Sequence, residues 1–232
     1  MAKMDYNIVV IGGGSAGLVS AYIASAVKAK VALIEKHKMG GDCLNTGCVP
    51  SKALIRSTKI LSYIKRHKEF GLKSASADFD FAEIMERVQS VIKKVEPHDS
   101  IERYTQLGVD CITGAAKIVS PREVEVNGKI LTTKNIIVAT GARPAVPPIP
   151  GLDQVDFLTT DNLWDIRELP KRLVVAGGGP IGSELAQCFA RLGSQVTQVE
   201  MMPDILISED DEVSQAIRKR FIAEGVDVRI NT

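Results

Sequence analysis

The hydrophobic pattern divides the chain into short apolar runs and longer amphipathic segments. Apolar runs at 7–11 and 31–34 flank a small-residue stretch at 16–29, which predicts a strand, a helix and a second strand. A helix is predicted from Val49 to about Lys65. A second helix, at 81–95, is predicted by apolar side chains at helical spacing, namely Phe81, Ile84, Met85, Val88, Val91, Ile92 and Val95.

Short strands follow and lead to a second strand–helix–strand pattern. Strands are predicted at 109–112, 115–119, 123–126, 129–132, 134–139, 173–176, 195–199 and 226–230. Asn127-Gly128 is a strong hairpin signal. Residues 142–150 hold four of the ten prolines, so we place a domain boundary there. The sequence therefore predicts an α/β fold with domains at 1–150 and 151–232.

The two halves share one glycine motif. Gly12–Gly17 and Gly177–Gly182 both fit G-x-G-x-x-G between a predicted strand and a predicted helix. Glu35 lies 23 positions after Gly12, and Glu200 lies 23 positions after Gly177. Such a turn brings a pyrophosphate to a helix N-terminus, and the acid accepts ribose hydroxyls. Two copies at one spacing predict two dinucleotide sites, such as FAD and NAD(P)H.

Composition narrows the class of protein. The 232 residues carry a net charge of +1 and only 5% aromatic residues, which disfavours nucleic-acid and membrane-surface partners. No run approaches the roughly 20 apolar residues of a membrane span, and residues 1–7 do not resemble a secretory signal peptide. Four cysteines are too few for a disulfide scaffold, so we expect a cytoplasmic chain in which a close cysteine pair does redox work.

That close pair is Cys43 and Cys48, five positions apart. On a regular helix this spacing separates the side chains by about 140°, too far for a disulfide, so a bonded pair requires a distorted helix. Gly47 and Pro50 supply the means for that distortion. Two unrelated core cysteines remain an alternative, whereas structural zinc is disfavoured because no second ligand pair lies nearby.

The stretch from Gly40 to Lys52, Gly-Gly-x-Cys-x-Asn-x-Gly-Cys-x-Pro-x-Lys, resembles the redox-active signature of the class I pyridine nucleotide–disulfide oxidoreductases. That family includes dihydrolipoamide dehydrogenase, glutathione reductase and mercuric reductase. The resemblance implies that Cys43 and Cys48 form a reversible disulfide beside a flavin, with Cys43 as the outer thiol. It also implies catalytic roles for Lys52 near the flavin and for Glu184, which would pair with Lys52.

The resemblance further implies two Rossmann-like units of the three-layer ββα type, the second of them truncated. FAD would bind the first unit and the nicotinamide cofactor the second, and no metal site is expected. The Glu200 carboxylate favours a free ribose 2′-hydroxyl, which predicts NADH over NADPH. The residues implied for FAD are Gly12, Gly14, Gly17, Glu35, Gly41, Lys52, Ala116, Thr140 and Gly141. Those implied for NAD are Gly177, Gly179, Ile181, Gly182 and Glu200.

The resemblance covers nearly all of this chain but only about half of the family's length. The missing half would include the dimerisation domain, whose histidine acts across a homodimer, so the chain alone is expected to be inactive. The electron acceptor therefore stays open between a small-molecule or protein-bound disulfide and Hg(II). A mercuric reductase-like enzyme and a non-catalytic nucleotide-binding fragment are the alternatives.

Overall fold

The computed structural model describes residues 4–232, so part of the signal-peptide expectation, residues 1–3, lies outside the described residues. The chain divides into two compact units. The first unit consists of Met1–Pro50 and Gln89–Trp164, and the second consists of Ser51–Val88 and Asp165–Thr232. These units interleave along the chain, whereas the sequence analysis divides it once at residue 150, and that functional division stays a prediction.

The secondary structure is α/β, as predicted. The helices are α1 Ser15–Ala26, α2 Gly41–Asn45, α3 Cys48–Lys65, α4 Phe81–Val95, α5 Ile101–Gln106, α6 Pro180–Leu192 and α7 Asp211–Ala223. The strands are β1 Tyr6–Ile11, β2 Val31–Glu35, β3 Val109–Thr113, β4 Ala116–Ser120, β5 Glu123–Val126, β6 Lys129–Val138, β7 Arg172–Ala176, β8 Gln195–Val199 and β9 Asp227–Arg229.

The first unit is built on a mixed six-stranded sheet in the order β3-β2-β1-β6-β5-β4. Strands β3, β2, β1 and β6 run parallel, whereas β4, β5 and the start of β6 form an antiparallel meander. Side chains alternate across the pleat. Val10 and Leu33 face the cluster that contains α1, and Val9 and Ile34 face the cluster that contains β5. Helices thus cover one face of the parallel strands and the meander covers the other.

Strand β6 differs from the prediction. The sequence analysis placed two strands at 129–132 and 134–139, but the structure has one strand over Lys129–Val138. Its first residues pair with β5, and from Thr133 onward it pairs with β1. The polar residues around Thr133 suggested a break in the pattern. They instead mark the point at which the strand exchanges one partner for the other, and Thr133 itself is fully buried.

The second unit contains a parallel three-stranded sheet in the order β7-β8-β9. Helix α6 connects β7 to β8, and α7 connects β8 to β9. Helix α4 begins where predicted, because the Asp80 carboxylate caps it by accepting a hydrogen bond from the Ala82 amide at 2.7 Å. Its predicted stripe is buried at Phe81, Met85 and Val88. Within residues 4–232, no helix is both long enough and apolar enough to cross a membrane.

Candidate functional site

The first glycine turn joins β1 to α1 and depends on contacts that exclude a side chain. Gly12 has φ +110°, and a Cβ there would collide with the carbonyl of Ala139, the residue after β6. A Cβ on Gly17 would collide with the Gly12 carbonyl, so this glycine lets the helix approach the turn. Gly14 is different, because the nearest atom to an added Cβ is 3.6 Å away, at Gly41. The turn is therefore tight at Gly12 and Gly17, whereas a Cβ at Gly14 would make only an ordinary contact with Gly41.

Glu35, at the end of β2, fixes this turn through its carboxylate. One carboxylate oxygen accepts a hydrogen bond from the Gly13 amide at 2.6 Å, and the other accepts one from the His37 amide at 2.7 Å. Each oxygen keeps a second lone pair. The half-buried carboxylate can therefore hold the turn and still accept a hydroxyl group from a bound ribose.

The second glycine turn repeats this arrangement around Glu200. The Glu200 carboxylate accepts hydrogen bonds from the Gly178 amide at 2.5 Å and from the Met202 amide at 2.8 Å. Gly177 has φ +112°, and an added Cβ at Gly177 or Gly179 would meet no atom within 4 Å. A pocket beside the turn is lined by Gly178, Gly179, Pro180, Glu200 and residues 206–209.

The loop at 206–209 is a part of this site that the sequence analysis missed. The Leu206 amide donates a hydrogen bond to the Gly178 carbonyl at 2.7 Å, and Ile205 before it is fully buried. The loop is thus fastened to the glycine turn. A contact with a turn nearly thirty residues earlier leaves no local signal in the sequence.

The cysteine segment folds as two helices with a break between the two cysteines. Helix α2 contains Cys43 and ends at Asn45, and α3 begins at Cys48. The amides of Thr46 and Gly47 both donate to the Asp42 carbonyl, at 2.9 and 2.5 Å. The required distortion is therefore a complete helix break. Cys43 is half-buried and Cys48 is exposed, and the disulfide between them stays a prediction.

A buried tryptophan contacts this break. Trp164, which is 3% exposed, donates a hydrogen bond from its indole Nε1 to the Thr46 carbonyl at 2.8 Å. The side-chain amide of Gln89 donates to the Trp164 carbonyl at 3.1 Å. Neither residue is predicted from the sequence. The one signal available was that Trp164 is the only tryptophan in the sequence.

In the second unit the structure brings Lys52 and Glu184 together. Lys52 Nζ lies 2.8 Å from both carboxylate oxygens of Glu184, and the two side chains are 61% and 38% exposed. Lys52 lies one turn into α3, and Glu184 lies in the second turn of α6. An ion pair so exposed adds little to stability. Its catalytic role stays a prediction.

The remaining residues predicted to bind a cofactor lie at or near the ends of α2, β4, β6 and α6. Gly41 has φ +53°, and a Cβ there would come within 2.6 Å of the Gly14 Cα atom. Ala116 begins β4 and packs against the cluster beneath the meander. Thr140 and Gly141 are exposed after β6, and Ile181 is 63% exposed near the start of α6.

The other two cysteines, Cys111 and Cys188, differ in burial. Cys188 is 2% exposed, and burial raises the pKa of its thiol to about 11, although a contact from Thr58 acts in the opposite direction. Cys111 is only half-buried, on β3 beside the α1 cluster, and burial raises its thiol pKa as well.

Both glycine turns fit a dinucleotide. Each presents a helix N-terminus, a glycine at which an added Cβ would meet no atom closer than 3.6 Å (Gly14 and Gly179), and a carboxylate positioned by the turn itself. Among the described residues 4–232, no three His, Cys, Asp or Glu side chains are grouped to hold a metal ion.

Comparison with known proteins gives relatives over almost the whole chain. It is 39% identical to a dihydrolipoyl dehydrogenase from Acholeplasma laidlawii and 38% identical to a mercuric reductase from Bacillus cereus, over 97% of this chain in each case. It spans 68% of the first relative and 36% of the second.

A similar solved structure is the HOCl-induced flavoprotein disulfide reductase RclA from Escherichia coli. RclA superposes on this chain with a TM-score of 0.82 at 30% sequence identity. The superposition covers 98% of this chain and 49% of RclA. The model of the family described as pyridine nucleotide-disulphide oxidoreductase matches residues 6–232. The chain therefore belongs to the pyridine nucleotide-disulphide oxidoreductases, a family of FAD-dependent enzymes that bind FAD and NAD(P).

Proposed function

We propose that this chain is the cofactor-binding part of a cytoplasmic disulfide oxidoreductase resembling dihydrolipoamide dehydrogenase. Electrons would pass from NADH through FAD to the Cys43–Cys48 pair and then to a small-molecule or protein-bound disulfide. The main support is that two glycine turns with matching glutamates occur in the same chain as a cysteine pair flanking a helix break. Because the chain spans only part of its relatives, the complete activity is assigned to a full-length homodimer.

The first turn would hold FAD and the second the nicotinamide cofactor, within Rossmann-like units at 1–150 and 151–232. Bound FAD supplies the two-electron step between a nicotinamide and a disulfide. The α1 N-terminus and Gly14 would receive its pyrophosphate, and Glu35 would accept its ribose hydroxyl groups. Glu200 would do the same for the nicotinamide cofactor and disfavour a 2′-phosphate, which gives the preference for NADH.

The cysteines would exchange with the substrate in two balanced steps. The Cys43 thiolate attacks one sulfur of the substrate disulfide, which forms a mixed disulfide and releases the first substrate thiolate. The Cys48 thiolate then attacks the Cys43 sulfur, which releases the second substrate thiolate and leaves Cys43 and Cys48 joined. Each released thiolate takes a proton, and the two electrons lost by the cysteine pair reduce the substrate.

By the family resemblance, Lys52 would supply a positive charge near the bound flavin. A fixed cation stabilises negative charge that develops during reduction. Lys52 Nζ lies 2.8 Å from the Glu184 carboxylate, and both side chains are partly exposed.

A mercuric reductase-like activity is the second candidate, and it is supported by the 38% identity to the Bacillus cereus relative. In that case Hg(II) replaces the disulfide as electron acceptor. A non-catalytic nucleotide-binding fragment is the third candidate, and the absence of bound flavin colour after reconstitution would identify it.

A single-turnover assay tests these candidates. The full-length homodimer, in excess and with added FAD and NADH, is mixed anaerobically with lipoamide or with Hg(II), and the reduced product is quantified. We expect dihydrolipoamide from the unsubstituted protein and from the control Cys111→Ser, but none from Cys43→Ser or Cys48→Ser. Reduction of Hg(II) without lipoamide would favour the second candidate. Undiminished lipoamide reduction by Cys48→Ser would contradict the proposed route.

A further inference from the structure

We propose that Trp164 is a positioning residue for the Cys43–Cys48 pair, because its indole N–H takes the place of a backbone donor that Pro50 lacks. This inference rests on the proposed redox role of the pair. It adds a residue 118 positions away from the segment that it would control.

The backbone at the helix break explains why a donor is needed there. In a continuous α-helix the carbonyl of residue 46 would accept a hydrogen bond from the amide of residue 50. Residue 50 is proline and has no amide hydrogen. The Thr46 carbonyl therefore cannot be satisfied by continuing the helix, and a half-buried carbonyl left without a donor costs free energy. The indole Nε1 of Trp164 donates to this oxygen at 2.8 Å.

The tryptophan is itself held in place. Its side chain is 3% exposed, and its carbonyl accepts the hydrogen bond from Gln89 on α4. It lies in a short 3₁₀ turn, Leu163–Asp165, whose first residue is also buried. A buried indole in a fixed turn offers its N–H in a single direction. Trp164 thus anchors the carbonyl of Thr46, which lies between the two cysteines.

The break must hold two thiols at a spacing that a regular helix would not permit. From one side, Thr46 and Gly47 are held by the Asp42 carbonyl, and Asn45 donates its side-chain amide to the carbonyls of Met39 and Gly41 at 3.0 and 2.8 Å. From the other side, Trp164 holds Thr46. Loss of the indole bond would free the link between α2 and α3. The effective concentration of one thiol at the other would then fall, so the disulfide would become easier to reduce.

The sole tryptophan allows an atomic test. Biosynthetic replacement of tryptophan by 3-benzothienylalanine, in which sulfur replaces the indole N–H, changes only residue 164. Replacement by 5-fluorotryptophan keeps the N–H and is the matched control. The equilibrium constant for exchange between the Cys43–Cys48 disulfide and dithiothreitol is measured for both proteins. We expect the benzothienyl protein to be more readily reduced by about two- to tenfold, the range expected from one net hydrogen bond.

The free energy of unfolding is measured for the same two proteins. The variant Trp164→Phe, which also lacks the indole N–H, should shift the exchange constant in the same direction as the benzothienyl protein. A tryptophan that served only the core would lower stability in the benzothienyl protein and leave its exchange constant equal to that of the fluorotryptophan protein. That result overturns the positioning role while the proposed function stands. Absence of any Cys43–Cys48 disulfide in the unsubstituted protein would overturn both.

Discussion

The two glycine turns have the same local design but different surroundings. In both, a strand-end glutamate holds the second glycine amide, and the last glycine lets the helix pass close to the first glycine carbonyl. Beside the first turn, however, the end of β6 presses the Ala139 carbonyl against Gly12. Beside the second, no atom lies within 4 Å of the position that a Cβ on Gly177 would occupy.

The same difference continues along the strands that enter the turns. Val9, on β1, is completely buried between β2 and β6 and beneath the meander, whereas Val174 at the matching position on β7 is 68% exposed. Within residues 4–232, β7 is paired only with β8. The turn is thus encoded locally by glycine spacing and one carboxylate, while its tolerance of change is set by the strand packed beside it.

The largest expected effect on stability comes from replacing the first glycine of each turn, Gly12 or Gly177, by alanine. Both positions have φ near +110°, so alanine is strained at either one. Gly12→Ala also drives its Cβ into the Ala139 backbone and should cost about 3 kcal/mol or more, since overpacking and strain add. Gly177→Ala carries the strain alone and should cost about 1–3 kcal/mol. Hydrogen exchange of the β1 and β7 amides measures each change within its own unit.

Equal losses of protection in the two units would show that the neighbouring strand is irrelevant. Gly71→Ala, at a left-handed position in open space, is a control for backbone strain outside both turns.

The helices that follow the two glycine turns, α1 and α6, are anchored differently. The sequence of α1 contains no charged residue, whereas α6 is tied to the end of α7 by Arg191, which bonds Glu224 at 2.9 and 3.0 Å with both side chains mostly buried. Burial alone would raise the pKa of Glu224, but the hydrogen bonds and charges of Arg191 and Arg220 lower it below its ordinary 4.5. Glu224→Gln should therefore destabilise the second unit by roughly 1–3 kcal/mol at neutral pH.

The sign of the pH dependence follows from the lowered pKa. The stabilisation is present above the unfolded value of 4.5 and is lost as pH falls through the lower folded value. The difference between wild type and Glu224→Gln, measured by urea unfolding at several pH values, should thus shrink below pH 4.5. A constant difference across that range would mean that the carboxylate charge is not what stabilises α7 against α6.

A smaller effect, on nucleotide affinity, should distinguish Glu200 from Glu35. If the Glu200 carboxylate disfavours a 2′-phosphate, as proposed, Glu200→Arg should raise the ratio of NADPH to NADH affinity by about tenfold. Glu35→Arg is the matched control, and it should weaken FAD and leave that ratio unchanged. Isothermal titration of both nucleotides decides the point. A wild-type chain that binds NADPH more tightly than NADH would show that Glu200 does not set the preference.

The sequence predicted features that are encoded within one segment. The two glycine motifs, the Asn127-Gly128 turn with φ +50° and +74°, and the buried stripe of α4 all follow from local rules. It missed features that depend on distant partners. β6 continues through Thr133 because β1 accepts it there, and the helix break at Thr46 is anchored by Trp164. Neither partner leaves a periodic or compositional trace near the residue that it contacts.

We expect Cys43 and Cys48 to form a disulfide that NADH reduces through FAD. The direct measurement is anaerobic differential alkylation with peptide mapping, performed on air-oxidised protein with FAD, before and after one equivalent of NADH. Two new thiols per chain should appear, at Cys43 and Cys48, and native Cys188 should not be labelled, because burial raises its thiol pKa to about 11. No change at these cysteines although NADH is consumed, or a crosslink through Cys111 or Cys188, would contradict it.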